Sequence, residues 1–245
     1  MDGEKDLAEL RQKYYGLFVT LLWKEPEVEF LKSLLDGITE RIRGADGLSN
    51  LMCEGWKKIQ AYLEENLAED VEFEFVELFL GPQKPEIQPY ESYYFAGSVF
   101  QSPLASVRNF MKDIGLVKNE GELPEPEDTL GFELEIMNWM INKQKKSEDS
   151  EEEKMWLDYQ ESFLKEHLLV WGGTCCDDIE SASKSDFYKG VGLLLKGFLE
   201  IEKELFKHRS SKKINSLEEV RKRYGNIKDW KGPLFEANLN NKSKE

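Results

Sequence analysis

Histidine and cysteine are scarce in this chain of 245 residues, which has two of the first and three of the second. The cysteines, Cys53, Cys175 and Cys176, are odd in number, with one adjacent pair and no C-x-x-C. Neither a disulfide framework nor a zinc-ribbon spacing is therefore available, and the usage fits a reducing compartment. The vicinal pair reads as two small buried hydrophobes in preference to a redox couple. Long apolar runs are also missing: none approaches the roughly 20 residues of a membrane span, and the start MDGEKDLAELRQK has no apolar signal-peptide core. We expect a cytoplasmic protein without a membrane span. Basic residues are outnumbered, 33 Lys and Arg against 48 Asp and Glu, for a net charge of −15. Such a surface repels phosphate backbones and anionic lipid, which argues against nucleic acid and suits a basic partner.

Catalytic signatures are absent as well. Di-metal helical bundles use Glu-x-x-His pairs, but the residues three before His167 and His208 are Leu164 and Leu205. There is no G-x-S-x-G elbow, P-loop or G-x-G-x-x-G. GVGLLLKG (Gly190 to Gly197) lies inside a helical pattern, where small residues permit close helix approach; phosphate binding would need a free helix N-terminus. His167, within FLKEHLLVW, reads as a satisfied structural histidine at the edge of a packed face. No catalytic residue, metal ligand or cofactor is expected.

What the chain does have is helical periodicity. Phe187, Val191, Leu194, Phe198, Ile201 and Leu205 recur at steps of four and three, marking one central helix from Ser185 to Lys207. The same logic predicts helices over 4–23, 26–43, 48–67, 103–113, 127–145 and 151–170. Pro26 and Pro103 are placed to start theirs, and Gly115 and Gly172-Gly173 to act as stops. VEFEFVELFL (Val71 to Leu80) alternates apolar and acidic residues like a strand, yet no pairing strand exists elsewhere, so we read it as helix. Gly81 to Gln101 and Lys118 to Glu125 are loops by composition. The charged block Lys143 to Lys154 is either a turn between helices or a frayed linker. The expected architecture is all-α, one bundle of about nine to eleven helices over residues 1–235 with a long proline- and aromatic-rich loop. A disordered tail is expected at 236–245. No internal repeat is visible.

Two stretches resist this uniform reading. FVELFLGPQKPEIQPYESYYF (Phe75 to Phe95) passes three prolines within eight residues and emerges into a cluster of rings. PEPEDTLGFELEIMNWM (Pro124 to Met140) crowds Glu125, Pro126, Glu127 and Asp128 at a helix start. Capping and the helix dipole account for those acids on their own. The other reading is a site for something basic, if the aromatic loop lies near in space, since carboxylates receive guanidinium groups and aromatic rings stack on them.

These two stretches together resemble the redox-enzyme maturation chaperones of the TorD, DmsD and NarJ groups. Phe75-Val-Glu-Leu78-Phe79 followed by Pro89-Tyr90-Glu91-Ser92 is similar to the family's aromatic-x-x-Leu-Phe pattern and its Pro-aromatic-Glu-Ser loop. Glu125-Pro126-Glu127-Asp128-Thr129, continuing as Leu130-Gly131-Phe132-Glu133-Leu134, is similar to its Glu-Pro-x-Asp-His motif and the helix that follows. The likeness covers roughly Phe75 to Phe206. Threonine stands at 129 where the family usually has histidine, and the spacing from Phe79 to Glu91 is shorter than the family's. The resemblance implies an all-α chaperone without turnover. Its partners would be the twin-arginine signal peptide and the catalytic subunit of a molybdopterin oxidoreductase, with export delayed until cofactor insertion. It further implies a peptide-binding site in which Glu91, Asp128 and Glu125 pair with leader arginines. Phe75, Leu78, Phe79, Tyr90 and Tyr93 would line its apolar part, and Pro89, Pro126 and Glu133 would complete it. Two other readings stay open: an assembly factor that binds a respiratory-complex subunit without leader recognition, and a nucleotide-binding protein. A monomer is expected in preference to a swapped dimer.

Overall fold

Apolar residues spaced by three and four account for most of the helices that form, and a capping side chain starts a few of them. The computed structural model describes residues 2–81, 85–118 and 125–209. Along them run α1 (Asp2–Leu22), α2 (Val28–Leu34), α3 (Ile38–Ala45), α4 (Asn50–Glu65), α5 (Glu69–Phe75), α6 (Glu91–Ala96), α7 (Ser102–Asp113), α8 (Leu130–Lys146), α9 (Ser150–Phe163), α10 (Leu169–Ala182) and α11 (Asp186–Arg209). Single π-helical turns extend α5 over Val76–Leu80 and join α9 to α10 over Leu164–Leu168. Ser49 caps α4 by accepting from the Met52 amide, Thr129 caps α8 through that of Phe132, and Asp149 caps α9 through those of Glu151 and Glu152. The fold is all-α, with one isolated antiparallel pairing of Tyr90 with Thr129 among the described residues.

The stripe on α11 is the centre of the core: Phe187, Tyr188, Val191 and Leu194 are fully buried. Its glycines allow the neighbours in. A Cβ on Gly190 would stand 2.7 Å from the Gly55 carbonyl oxygen, and one on Gly55 would stand 2.6 Å from that of Gly190, so α4 and α11 meet backbone to backbone. Gly192 meets the Cys176 carbonyl of α10 in the same way, at 2.9 Å. This is the close approach expected of GVGLLLKG.

A buried polar network then fixes the register of four helices. Arg11 of α1 donates through Nε and Nη2 to both oxygens of Glu202 on α11, each at 2.7 Å, and through Nη1 to Gln160 of α9 at 2.7 Å. Tyr15 donates to Glu202 at 2.8 Å, and Gln160 donates to Gln144 of α8 at 3.1 Å. The bidentate pairing gives geometric specificity that apolar packing alone does not supply. A second buried acid, Glu74 of α5, accepts from the amides of Lys184 and Ser185 at 2.7 and 2.9 Å, so the start of α11 is capped from another helix.

Several expectations need correcting. The helix expected over 26–43 is two, because Gly37 takes a left-handed conformation (φ 71°) between α2 and α3. Gly172-Gly173 does not stop a helix: α10 runs through both, and Gly172 lies where a Cβ would meet Leu199 of α11 at 3.1 Å. The expected loop from Gly81 to Gln101 contains the short helix α6. Gly115 does end α7, at φ 71°, and the charged block turns between α8 and α9. Cys175 and Cys176 are buried, and burial pushes the Cys175 thiol up to about 12. Pro82, most of the loop from Lys118 to Glu125, the limit at residue 235 and the tail at 236–245 lie outside the described residues.

Two substitutions test this account of the packing. Gly190→Ala drives a methyl into the α4 backbone and should cost about 1–3 kcal/mol, seen as a lower urea midpoint; an unchanged midpoint overturns the close-approach argument. Arg11→Met leaves Glu202 buried without its guanidinium and should cost about 3–5 kcal/mol in the same measurement.

Candidate functional site

Proline and β-region backbone bring the two unusual stretches together. Tyr90 (φ −121°, ψ 130°) and Thr129 (φ −79°, ψ 152°) are both extended, and Pro89 has no amide to commit elsewhere. The Glu91 amide donates to the Asp128 carbonyl at 2.8 Å and the Leu130 amide to the Pro89 carbonyl at 2.9 Å. Asp128 then reaches across: its Oδ2 accepts from the Ser92 amide at 3.0 Å and from the Ser92 hydroxyl. Each stretch thus caps the other's helix start, and α6, only six residues long, owes its first turn to Asp128.

Around this pairing lies a narrow recess of about 20 Å³ bounded by Phe75, Phe79, Pro89, Tyr90, Glu125 and Trp23. Gly131 is part of its floor because a Cβ there would stand 2.9 Å from the backbone of Trp23. Tyr90 and Glu125 are half-buried at the rim. Burial raises the Glu125 carboxyl above its ordinary range, opposed by Lys118; burial, then the charges of Glu125 and Asp128, raise the Tyr90 phenol. Glu127 turns away and pairs with Arg108 at 2.7 Å and Lys118 at 3.9 Å. A larger apolar groove of about 710 Å³ runs along the earlier part of α1, between it, α2, α3 and the end of α11, with Leu10 and Leu48 exposed on it. The two recesses share α1, whose Leu7 to Thr20 face the groove and whose end at Leu22 meets the cleft.

Beneath the pairing is a buried acid cluster. Glu91 Oε2 lies 2.8 Å from His167 Nδ1, and His167 Nε2 lies 3.4 Å from the Ser106 hydroxyl. Glu133 Oε2 accepts from the Trp171 indole at 3.1 Å. The second oxygens, Glu133 Oε1 and Asp128 Oδ1, receive no hydrogen bond among the described residues. Burial first, and then the facing charge of Glu91, hold the Glu133 carboxyl well above its ordinary range.

Of the residues expected to bind a peptide, the cleft gathers Phe75, Phe79, Pro89, Tyr90 and Glu125. Leu78 faces the core instead, and Glu91, Asp128 and Glu133 are all buried, which sets them under the surface and not on it. Pro126 is buried beside them, and Tyr93 is half-buried with its ring 6.1 Å from that of Tyr94. Tyr94 donates to Asp178 at 2.6 Å, whereas Phe95 is 71% exposed. The loop's rings thus divide between packing and solvent. Sequence reasoning missed Trp23, Trp171, the apolar groove and the partnership of His167 with Glu91. That partnership depends on the π turn over Leu164–Leu168, which shifts the helical phase and has no local sequence signal.

A family model described as Nitrate reductase delta subunit matches residues 45–177. The chain is 26% identical to a chaperone protein TorD of Vibrio atlanticus (strain LGP32), over 82% of this chain and 97% of that one. It is 26% identical, with the same coverage, to a chaperone protein TorD of Vibrio parahaemolyticus serotype O3:K6. A probable Tat proofreading chaperone DmsD of Haemophilus influenzae is 25% identical over 56% of this chain and 63% of its own length.

The raised Glu133 carboxyl fixes a sign for pH dependence. A carboxyl whose folded value lies above its unfolded one keeps a proton the unfolded chain has released, so its contribution is fully present below the ordinary carboxylate range and is lost as pH rises. In buffer with EDTA, the stability of Glu133→Gln relative to the parent should therefore increase between about pH 4 and pH 8. Urea unfolding at several pH values reads this, and a pH-independent difference overturns the assignment.

Proposed function

The chain belongs to the nitrate reductase delta subunit family, and from that premise we propose that it is a maturation chaperone, not an enzyme. In this reading it works in the cytoplasm, binds the twin-arginine leader and the apoenzyme of a molybdopterin oxidoreductase, and holds back export while the cofactor is inserted. The observation that carries the reading is the juxtaposition of the two motifs, with the Glu91 and Leu130 amides bonded across to Asp128 and Pro89. That pairing lines up apolar rings, a half-buried carboxyl and a proline-shaped backbone in one cleft, the chemistry a basic and apolar peptide requires. The chaperone names of the relatives agree with it.

The division of labour within the site follows from burial. Glu125 and Tyr90 at the rim are the groups an arriving guanidinium meets, one as anion and one as a ring face. Glu91, Asp128 and Glu133 support the rim from below. The apolar stretch of a leader has the groove along α1 within reach of the same helix. A net charge of −15 speeds encounter with a basic segment and makes binding weaken with salt. No described helix is long and apolar enough to cross a membrane.

Calorimetric titration with a synthetic twin-arginine leader tests the reading. Tyr90→Ala and Glu125→Gln should each weaken binding about tenfold, a loss of about 1.4 kcal/mol. Unchanged affinity in the double variant removes the cleft from the site. Binding of a leader-deleted apoenzyme as tight as that of the full-length one would replace leader recognition with recognition of the mature enzyme.

A further inference from the structure

Three donors of types that bind transition metals converge below the cleft from three separate elements: Glu91 at the start of α6, Glu133 in the first turn of α8 and His167 in the π turn after α9. One ligand atom from each lies within 4.8 Å of the others, and all three residues are buried. No sequence spacing announces the set, because the residues are far apart along the chain and meet only through the pairing of the two motifs.

We propose that Glu91, Glu133 and His167 form a binding site for one divalent transition-metal ion of the zinc class. Two carboxylates and one imidazole are the mixed oxygen and nitrogen donors that zinc, iron and manganese accept, and among these the affinity order favours zinc. Three independent features point to an ion. Glu133 Oε1 is buried and receives no hydrogen bond from a nitrogen or hydroxyl donor among the described residues, and the group it faces is the carboxyl of Glu91, the other acid of the set. The surrounding groups are arranged as supports: the Ser106 hydroxyl lies 3.4 Å from His167 Nε2, which in the Nε2-protonated form leaves Nδ1 as the donor atom, and the Trp171 indole fixes Glu133 Oε2 at 3.1 Å. The π turn that carries His167 departs from α-helical phase, a distortion found frequently at functional sites. Zinc at about 2.0–2.2 Å from each donor places donors about 3.4 Å apart, within about 1.4 Å of separations that here do not exceed 4.8 Å. The ion would share its ligands with the support beneath the leader cleft, and it would link α6, α8 and the α9–α10 helix.

Because the donors are buried, loading takes place during folding or during opening of the short α6, so the experiment includes a refolding step. The full chain is unfolded with EDTA, refolded with or without Zn²⁺, and passed through gel filtration for metal analysis; a parallel sample is loaded with Co²⁺ for visible absorption. The expected result is one equivalent of zinc retained, a higher thermal midpoint than that of the metal-free protein, and a cobalt d–d band. Glu133→Gln, which keeps an acceptor for Trp171, and His167→Gln should each lower retention at least fivefold while keeping the helical circular dichroism. If one of them fails to refold, the other and Glu91→Gln carry the comparison. Absence of retained metal and of the cobalt band in the parent overturns the site, as does equal retention in the parent and the folded variants, which would place the ion on surface carboxylates. The inference does not rest on leader recognition: leader titration of metal-free and zinc-loaded protein is read separately, and either result can stand without the other.

Discussion

The short antiparallel contact between Pro89–Glu91 and Asp128–Leu130 governs the architecture of the site. Two backbone hydrogen bonds would be a weak tie for a pair of solvent-exposed loops, since each contributes only about 0.5–1.5 kcal/mol net. Here they are reinforced from both sides, by the Asp128 carboxylate on Ser92 and by the Thr129 hydroxyl on the Phe132 amide. The extended conformation of Tyr90 and Thr129 also sets which way the neighbouring side chains go. Tyr90 is the extended N-cap at the rim and Glu91 the first residue of α6, and the change from extended to helical backbone between them goes with Tyr90 at the rim and Glu91 turned inward to His167. The aromatic rim and the acidic floor are two faces of one constraint.

That constraint is held in place by the bundle. Trp23, just past α1, reaches the cleft because Gly131 leaves room for its backbone, and α1 itself is keyed to α8, α9 and α11 by the Arg11 network. Glu74 performs a similar service at the other end of the α5 segment, where it caps α11 while Phe75 and Phe79 pack against Tyr188. The acids that look in sequence like solvent-facing partners of an alternating strand are therefore split. Glu74 is buried and bonded to backbone amides, while Glu77, three residues on, forms an exposed ion pair with Lys184 at 2.8 Å.

Legibility in the sequence followed the range of the interaction responsible. The α11 stripe, the proline start of α7 and the Gly115 stop are local or periodic signals, and each has its structural counterpart. The close contact of Gly190 with α4 was also readable, because glycines inside a strong helical pattern need a packing reason. What could not be read were features decided by a distant partner. The Gly172-Gly173 pair has poor helix propensity, yet burial of Trp171, Cys175, Cys176 and Ile179 on one face outweighs a cost of about 1 kcal/mol per glycine. Helix α6 is too short to stand on its own and depends on Asp128, which lies in another motif. The burial of Glu91, Asp128 and Glu133 was hidden for the same reason, since a carboxylate is expected outside unless the fold supplies donors for it.

Threonine at position 129 shows how such long-range effects redistribute chemistry. The resemblant family usually places histidine there, and the loss of an imidazole beside Asp128 looks in sequence like the loss of a functional group. Thr129 instead caps α8, a task for which a short hydroxyl is among the favoured side chains. An imidazole is nevertheless present against Glu91, delivered by His167 from the π turn after α9. In this chain the imidazole in the acid cluster comes from position 167 and lies against Glu91. The surface acids that give the protein its net charge can steer a basic ligand from a distance, but the buried three cannot, because a carboxylate in this setting is held by its neighbours or neutralised. Of the three, Asp128 ties the two stretches together through Ser92, while Glu91 and Glu133 are held by His167 and Trp171.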